Sequence, residues 1–189
     1  SARVEIKRAT PTLTLTVKDS ISYDNQPVVC SDQDTADIKY AYIGDPTRPE
    51  VTITWKDAAD KPLDVAPTNA GDYFVTVSVA ETKNYSAVTK TEGFTIAQTE
   101  AKVTEAPKAA ASSLKFTGDY QDLITAGTTA DGTLLYKVGE KGNYDAAIPT
   151  AMEVGTYQVY YMVKGDANHE DKAFEAPVSV QIGQADKIT

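Results

Sequence analysis

The chain is poor in sulfur and imidazole: one cysteine, Cys30, and one histidine, His169, stand in 189 residues. A single thiol closes no intrachain disulfide, which excludes a disulfide-stapled secreted scaffold. A nucleophile needs a base beside it, and the half of the chain that holds Cys30 has no histidine. Cys30, in the apolar run "PVVC", therefore reads as a small buried hydrophobe. A closed zinc site wants three or four Cys or His ligands, more than the sequence supplies. Phosphate-cradling loops are missing as well, since no glycine-rich turn opens a helical pattern. No apolar run is long enough to span a bilayer as a helix. Positive charge is also scarce. The net charge is -9, with -4 from residues 1–98 and -5 from 99–189, so neither half attracts a phosphate backbone or an anionic membrane. The N-terminal "SARVEIKRATPTLTLTV" lacks the basic-then-apolar layout of a secretory signal, and an exported parent would carry one outside these residues.

What is present is a period of two. "TLTLTV", "VTITW", "YFVTVSV", "TLLYKV", "YQVYYMV" and "VSVQI" alternate or run apolar and are rich in β-branched and aromatic residues, while "IGDPTRPE", "DAADKPL" and "APTNAGD" between them carry turn chemistry. No helical stripe of useful length accompanies them. A larger period is written over this one. Aligning "AGDYFVTVSVAETKNY" (70–85) with "VGTYQVYYMVKGDANH" (154–169) on Gly71 and Gly155 places Tyr73 on Tyr157, Val75 on Val159, Val77 on Tyr161, Val79 on Val163 and Asn84 on Asn168, always 84 residues apart. A repeat of that length is a copied domain and not a solenoid unit. Upstream, "ISYDNQPV" is similar to "LKFTGDYQDLI", and "TITWKD" to "TLLYKVG". The first copy holds an insertion within residues 31–50. Three similar strand ends, "VEIKRAT", "FTIAQTE" and "VQIGQAD", serve two bodies and suggest a longer array. The expected organisation is residues 1–8 as the tail of a preceding repeat, a first domain over 9–98, an Ala/Thr/Glu/Lys-rich linker over 99–111, and a second domain over 112–189.

Short strands at regular spacing, twice over, predict an all-β chain of two tandem immunoglobulin-like antiparallel β-sandwich domains. In that fold a tyrosine near the start of strand F turns its hydroxyl back to the preceding corner, and strand C adds a buried aromatic. Tyr73 and Tyr157 fit the corner, Gly71 and Gly155 its turn, and Trp55 and Tyr136 the strand C aromatic. Where an antibody domain would place a cysteine two residues after the tyrosine, this chain has Val75 and Val159.

On "ISYDNQP", "VTITWKDAADKPLDVAPTNAGDYFVTVSVAETKNY" and "FTIAQ" in the first copy, and "LKFTGDYQDLI", "GTLLYK" and "IPTAMEVGTYQVYYMVKGDANHED" in the second, the chain resembles the mostly bacterial immunoglobulin-like domains found in tandem on large bacterial surface proteins. The resemblance covers nearly everything outside the linker. It implies a non-enzymatic cell-surface or cell-wall fragment acting as structural spacer or adhesion module, with no catalytic residues and no cofactor to carry over. The insertion at 31–50 and the lack of an LPxTG wall anchor depart from the pattern.

Binding residues are sought on what scaffold duty does not explain. Strand alternation turns Tyr157, Val159, Tyr161 and Val163 inward, leaving Phe74 in one copy and Tyr160 and Met162 in the other as outward candidates for a host protein, a cell-surface protein or a glycan. Asp32, Asp34 and Asp37 in "SDQDTAD", and Asp166, Asn168, Glu170 and Asp171 in "GDANHED", are weak calcium candidates that miss the EF-hand spacing. His169, aligned with Tyr85, and the matched asparagines read as turn residues. A carbohydrate- or calcium-binding module, or an accessory domain of a secreted enzyme, is the alternative function. The chain is expected to be a monomer.

Overall fold

The computed structural model describes residues 5–47 and 49–185. It is all-β, built of several small antiparallel and mixed sheets, and divides into two compact units, Ser1–Gln98 and Thr99–Thr189.

The first unit holds β1 (Thr12–Val17), β2 (Ile21–Ser22), β3 (Cys30–Ser31), β4 (Ile38–Ile43), β5 (Val51–Asp57), β6 (Pro62–Leu63), β7 (Gly71–Val79) and β8 (Val88–Ala97). They form a five-stranded sheet, β2-β8-β7-β5-β6, and a three-stranded one, β1-β4-β3. Alternation decides what each strand buries. Along β7, Val75, Val77 and Val79 are sealed in the core, and Leu13, Ile38, Trp55, Phe94 and Ile96 close around them. Each such side chain contributes about 1.5–3 kcal/mol of burial. Trp55 meets Phe94 edge-on with centroids 5.8 Å apart, and Tyr73 flanks the same ring at 5.7 Å.

The second unit holds β9 (Thr99–Glu100), β10 (Lys108–Ala109), β11 (Leu114–Lys115), β12 (Gln121–Asp122), β13 (Ile124–Thr125), β14 (Gly132–Val138), β15 (Thr150–Ala151), β16 (Gly155–Gly165), β17 (His169–Glu170) and β18 (Lys172–Gly183). Its main sheet is β11-β18-β16-β14, and three two-stranded pieces, β10-β13, β12-β15 and β17-β9, complete it. Leu123, Ile124, Tyr136, Val159, Val163 and Ile182 are at its centre.

The repeated sequence returns as repeated pairing. Val75 faces Trp55 on β5, and its counterpart Val159 faces Val138 on β14. Ile21 lies parallel to Ile96, and Tyr23 N donates to Ala97 O at 2.9 Å; Leu114 lies parallel to Ile182, and Phe116 N donates to Gly183 O at 2.9 Å. The matched asparagines also do one job. Asn84 O accepts from Ala9 N at 2.8 Å, and Asn168 O accepts from Thr99 N at 3.2 Å, so each turn holds the first strand segment of its own unit.

Two expectations meet a different arrangement. Residues 99–111 do not form a free linker: β9 pairs with β17, β10 pairs with β13, and Ala101 is buried in the second core. Strand pieces of two residues have no readable period, so composition alone makes them resemble a connector. Trp55 and Tyr136 are both buried, but they are not ladder equivalents. Trp55 pairs with Val75, whereas Tyr136 pairs with Tyr161, the counterpart of Val77, so the register equates Tyr136 with Ile53. Of the tail over 1–8, residues 1–4 lie outside the described residues, as does the exit residue Asp186.

Candidate functional site

The Gly-x-Tyr pairs are built as corners. Tyr73 Oη donates to Asn69 O at 3.0 Å and Tyr157 Oη to Glu153 O at 2.8 Å, four residues back in both units. The glycines differ beneath this likeness. Gly71 has φ of 149°, which a side chain resists, whereas Gly155 has no such conformation. What they share is the tyrosine ring, which a Cβ would meet at 3.5 Å on Gly71 and 3.7 Å on Gly155. Burial, and secondarily the charge of Asp57, pushes the Tyr73 phenol above its ordinary value.

The outward candidates fall on two dissimilar faces. Phe74 stands between Lys56 and Gly93 in the ladder and is 39% exposed; a Cβ on Gly93 would lie 3.3 Å from its ring, so the ring fills the space a bare glycine leaves. Around it the face is hydroxylic. "TIT", "TVS" and "TKT" on three adjacent strands put Thr76 between Thr54 and Thr91, and Ser78 between Thr52 and Thr89. Thr76 and Thr91 bond at 2.8 Å, and Thr89 donates to Ser78 at 3.1 Å. In the second unit Tyr160 is half-buried opposite Lys137, whose Nζ lies 5.5 Å from that ring and 4.7 Å from the Tyr144 ring. Met162 lies between Leu135 and Ala173. Phe74 is thus in one unit and Tyr160 with Met162 in the other.

The acidic loops do not converge on a cation. Asp34 pairs with Lys39, and Asp37 with Lys18 at 2.9 Å; Asp37 also accepts from Val29 N at 3.0 Å, and Asp32 from Gln33 Nε2 at 2.8 Å. In the second loop Asp166 accepts from Asn168 N at 2.8 Å and lies 2.8 Å from His169 Nδ1, while Asp171 pairs with Lys164 at 2.8 Å and accepts from Gly165 N. Among the described residues no group of three or more His, Cys, Asp or Glu is placed to hold a metal ion. These contacts hold the carboxyls of Asp34, Asp166 and Asp171 below the usual range. For Asp37 burial opposes the shift, and the Val29 and Lys18 contacts outweigh it. His169 spans Asp166 and, at 3.6 Å, Asp131, whose other oxygen accepts from Lys102 N at 2.8 Å. That places the histidine in the packing of its unit's first strand. Cys30 is half-buried against the first core, and burial pushes its thiol up to about 11.

Residues 31–50 carry a feature that lay unread in the sequence. β4 comes from this segment, and a groove of about 350 Å³ opens beside it, lined by Asp32, Lys39, Tyr40, Ala41, Tyr42, Pro49 and Val51. The alternation in "IKYAYI" was its only signal. Two other hollows accompany it in the same unit. One of about 280 Å³ lies over Ile96, rimmed by the paired Lys18 and Asp37; one of about 510 Å³ is lined by Lys7, Arg8, Asp45 and Lys83, where Arg8 is paired with Glu81. No protein-family model matches the chain, and no curated protein matches it in sequence.

Proposed function

We propose that the chain is a non-enzymatic structural module: two immunoglobulin-like β-sandwiches in tandem, of the mostly bacterial surface type, that space or present an adhesive part on a cell surface. One observation carries this reading. The repeated residues are those of scaffold, with the same corner bond from Tyr73 and Tyr157, the same asparagine carbonyl on the first strand and the same parallel edge at Ile96 and Ile182. The outward faces share no residue pattern, as expected when the property kept between copies is mechanical integrity. Hydrophobic cores and long antiparallel ladders then take the place of disulfides in resisting extension.

Pulling the chain between its termini in a single-molecule force instrument tests the proposal. Two separate unfolding events are expected, each lengthening the chain by about 300 Å, the contour of roughly ninety residues. Extension without resistance, or one event spanning both units, would exclude a load-bearing pair of modules.

A further inference from the structure

We propose that residues 99–110 of the second unit form a strap that opens as one piece, ahead of the core, and that Asp131 is its latch. Its use as a yielding element rests on the load-bearing reading; its existence rests on how these residues are held. In the first unit the corresponding entry strand is one unbroken ladder, Thr12–Val17 against Ile38–Ile43, with Leu13 buried and Leu15 and Val17 packed on the core. In the second unit the same stretch meets its partners in fragments. Thr99 and Glu100 lie beside His169 and Glu170, Glu105 bridges to Thr128, and Lys108 and Ala109 pair with Thr125 and Ile124. Pro107, between two of these, has no N–H to give a ladder. The apolar share is small as well: Ala101 is buried and Val103 and Ala109 are partly so, where the first unit places two leucines and a valine. Local opening is easiest where few apolar contacts are lost.

What the strap lacks in ladder it receives from side chains. Lys102, between the fragments, has both backbone groups taken by one turn: its N–H donates to Asp131 Oδ2 at 2.8 Å, and its carbonyl accepts from Thr129 Oγ1 at 2.6 Å. The Thr129 hydroxyl also accepts from Asp131 N at 3.1 Å, which fixes the turn. Asp131 is tied in addition to the segment that holds the start of the strap. Its carbonyl accepts from Asp166 N at 3.0 Å, and its Oδ1 faces His169 Nε2 at 3.6 Å. From that segment Asn168 O accepts from Thr99 N at 3.2 Å and Glu170 O from Ala101 N at 3.1 Å. One aspartate thus closes the strap, the 129–131 turn and the 166–170 turn on one another.

The first unit shows that the fold does not demand this arrangement. Asp45 stands three residues past Tyr42, the partner of Leu13, as Asp131 stands three past Thr128, the partner of Glu105. Thr82, which binds Asp45, lies 84 residues before Asp166. Yet the Asp45 carboxylate accepts from Thr82 Oγ1 at 2.6 Å and from Thr47 Oγ1 and N at 2.7 and 3.0 Å, and none of these bonds reaches the entry strand. A six-residue ladder holds that strand, so its aspartate is free for the turn. In the second unit the aspartate stands in for missing ladder. Hydrogen bonds to a charged acceptor are the strong kind, and a latch made of so few can open and close without disturbing the core. Once open, the strap releases about 40 Å of chain, the contour of roughly twelve residues, before load reaches the main sheet.

Native-state hydrogen exchange of the 189-residue chain tests the strap. The amides of Ala101, Lys102, Thr104 and Ala110 should exchange together, roughly a hundredfold or more ahead of Val159 and Val163 on the central strand. Asp131→Ala should speed exchange at those strap amides roughly tenfold, as expected for one lost hydrogen bond to a charged group, and leave Val159 and Val163 unmoved. Asp131→Asn, which keeps an acceptor for Lys102 N, should restore most of the protection, and the amides of β1 should respond to neither variant. Under force, a step of about 40 Å should precede the long extension of the second unit and move to lower force in Asp131→Ala. Strap amides that exchange only with the core, strap protection unchanged in Asp131→Ala, or core protection lost with it would each overturn the inference. Staged exchange in a chain that offers no resistance to force would uphold the strap and sink the load-bearing reading instead.

Discussion

Val75 and Val159 occupy one point of a repeated scaffold, yet the aromatic mass around them lies at different points along their strands. In the first unit it gathers near the corner, where Trp55 faces Val75 and Phe94 faces Tyr73. In the second, the position of Phe94 is taken by Val180 and that of Trp55 by Val138, and the rings move two residues on, to Tyr136 opposite Tyr161 and to Tyr161 stacked on Phe174 at 4.9 Å. The β16–β18 ladder shifts register between Val159 and Tyr161, where Glu175, Ala176 and Pro177 stand opposite Tyr160 alone. Proline has no N–H for a ladder, so Pro177 falls where the pairing is already interrupted. The two units teach that backbone pairing and valine positions are held while the large side chains are redistributed to fill the volume.

The strongest way to break the comparison is a charge at the shared point. Val75→Asp places an unpaired carboxylate at a fully buried site and should cost its unit more than about 4 kcal/mol; Val159→Asp should do the same to the other unit. Amide spectra of each variant should lose the dispersed resonances of the substituted unit and keep those of its neighbour. Loss of both sets in either variant would show that the two cores are one cooperative system.

How far this could be read beforehand follows from which signals are local. Gly71, Tyr73, Val75 and Val79 recur in their counterparts because corner and core make the same demand at fixed spacing, and alternation alone separates Val159 from Tyr160. Trp55 and Tyr136 are alike in chemistry and both buried, yet they stand two ladder positions apart, because the register is fixed by the hairpin's backbone and admits Ile53 opposite one valine and Tyr136 opposite a tyrosine. The stretch 99–111 hid its strands because two-residue pieces depend on partners as distant as His169 and Ile124. The groove beside β4 was unreadable for a similar reason: its lining joins Asp32, Tyr40 and Tyr42 to Val51 of the next strand, and the turn between them is tied through Asp45 to Thr82, 37 residues away.

A gentler comparison removes one atom from each corner. Tyr73→Phe and Tyr157→Phe each delete a hydroxyl that donates to a carbonyl four residues back, in sites open enough for water to replace the bond. Each should lose about 1 kcal/mol, seen as similar shifts of the urea midpoint for the affected unit. A corner that matters in only one copy would give one shift and one unchanged midpoint, and the repeat would then be a likeness of sequence without a likeness of role.

The smallest perturbation exploits an asymmetry, since the only thiol belongs to the first unit. Burial pushes Cys30 up to about 11, so in the folded chain the thiol holds its proton across the range in which an unfolded cysteine, near 8.5, loses it. A group whose pKa is raised by folding keeps its contribution below the unfolded value and loses it as pH climbs toward the folded one. Stability of the first unit should therefore be unaffected by this group at neutral pH and decline between about 8.5 and 11, while the second unit shows no decline from this source. At pH 8 alkylation of the native chain should run about a hundredfold slower than in urea, since only the thiolate reacts. Val159→Asp should leave that protection in place and Val75→Asp should abolish it. A thiol equally reactive in both variants would mean that opening one core exposes the other, and the independence drawn from their separate hydrophobic clusters would fail.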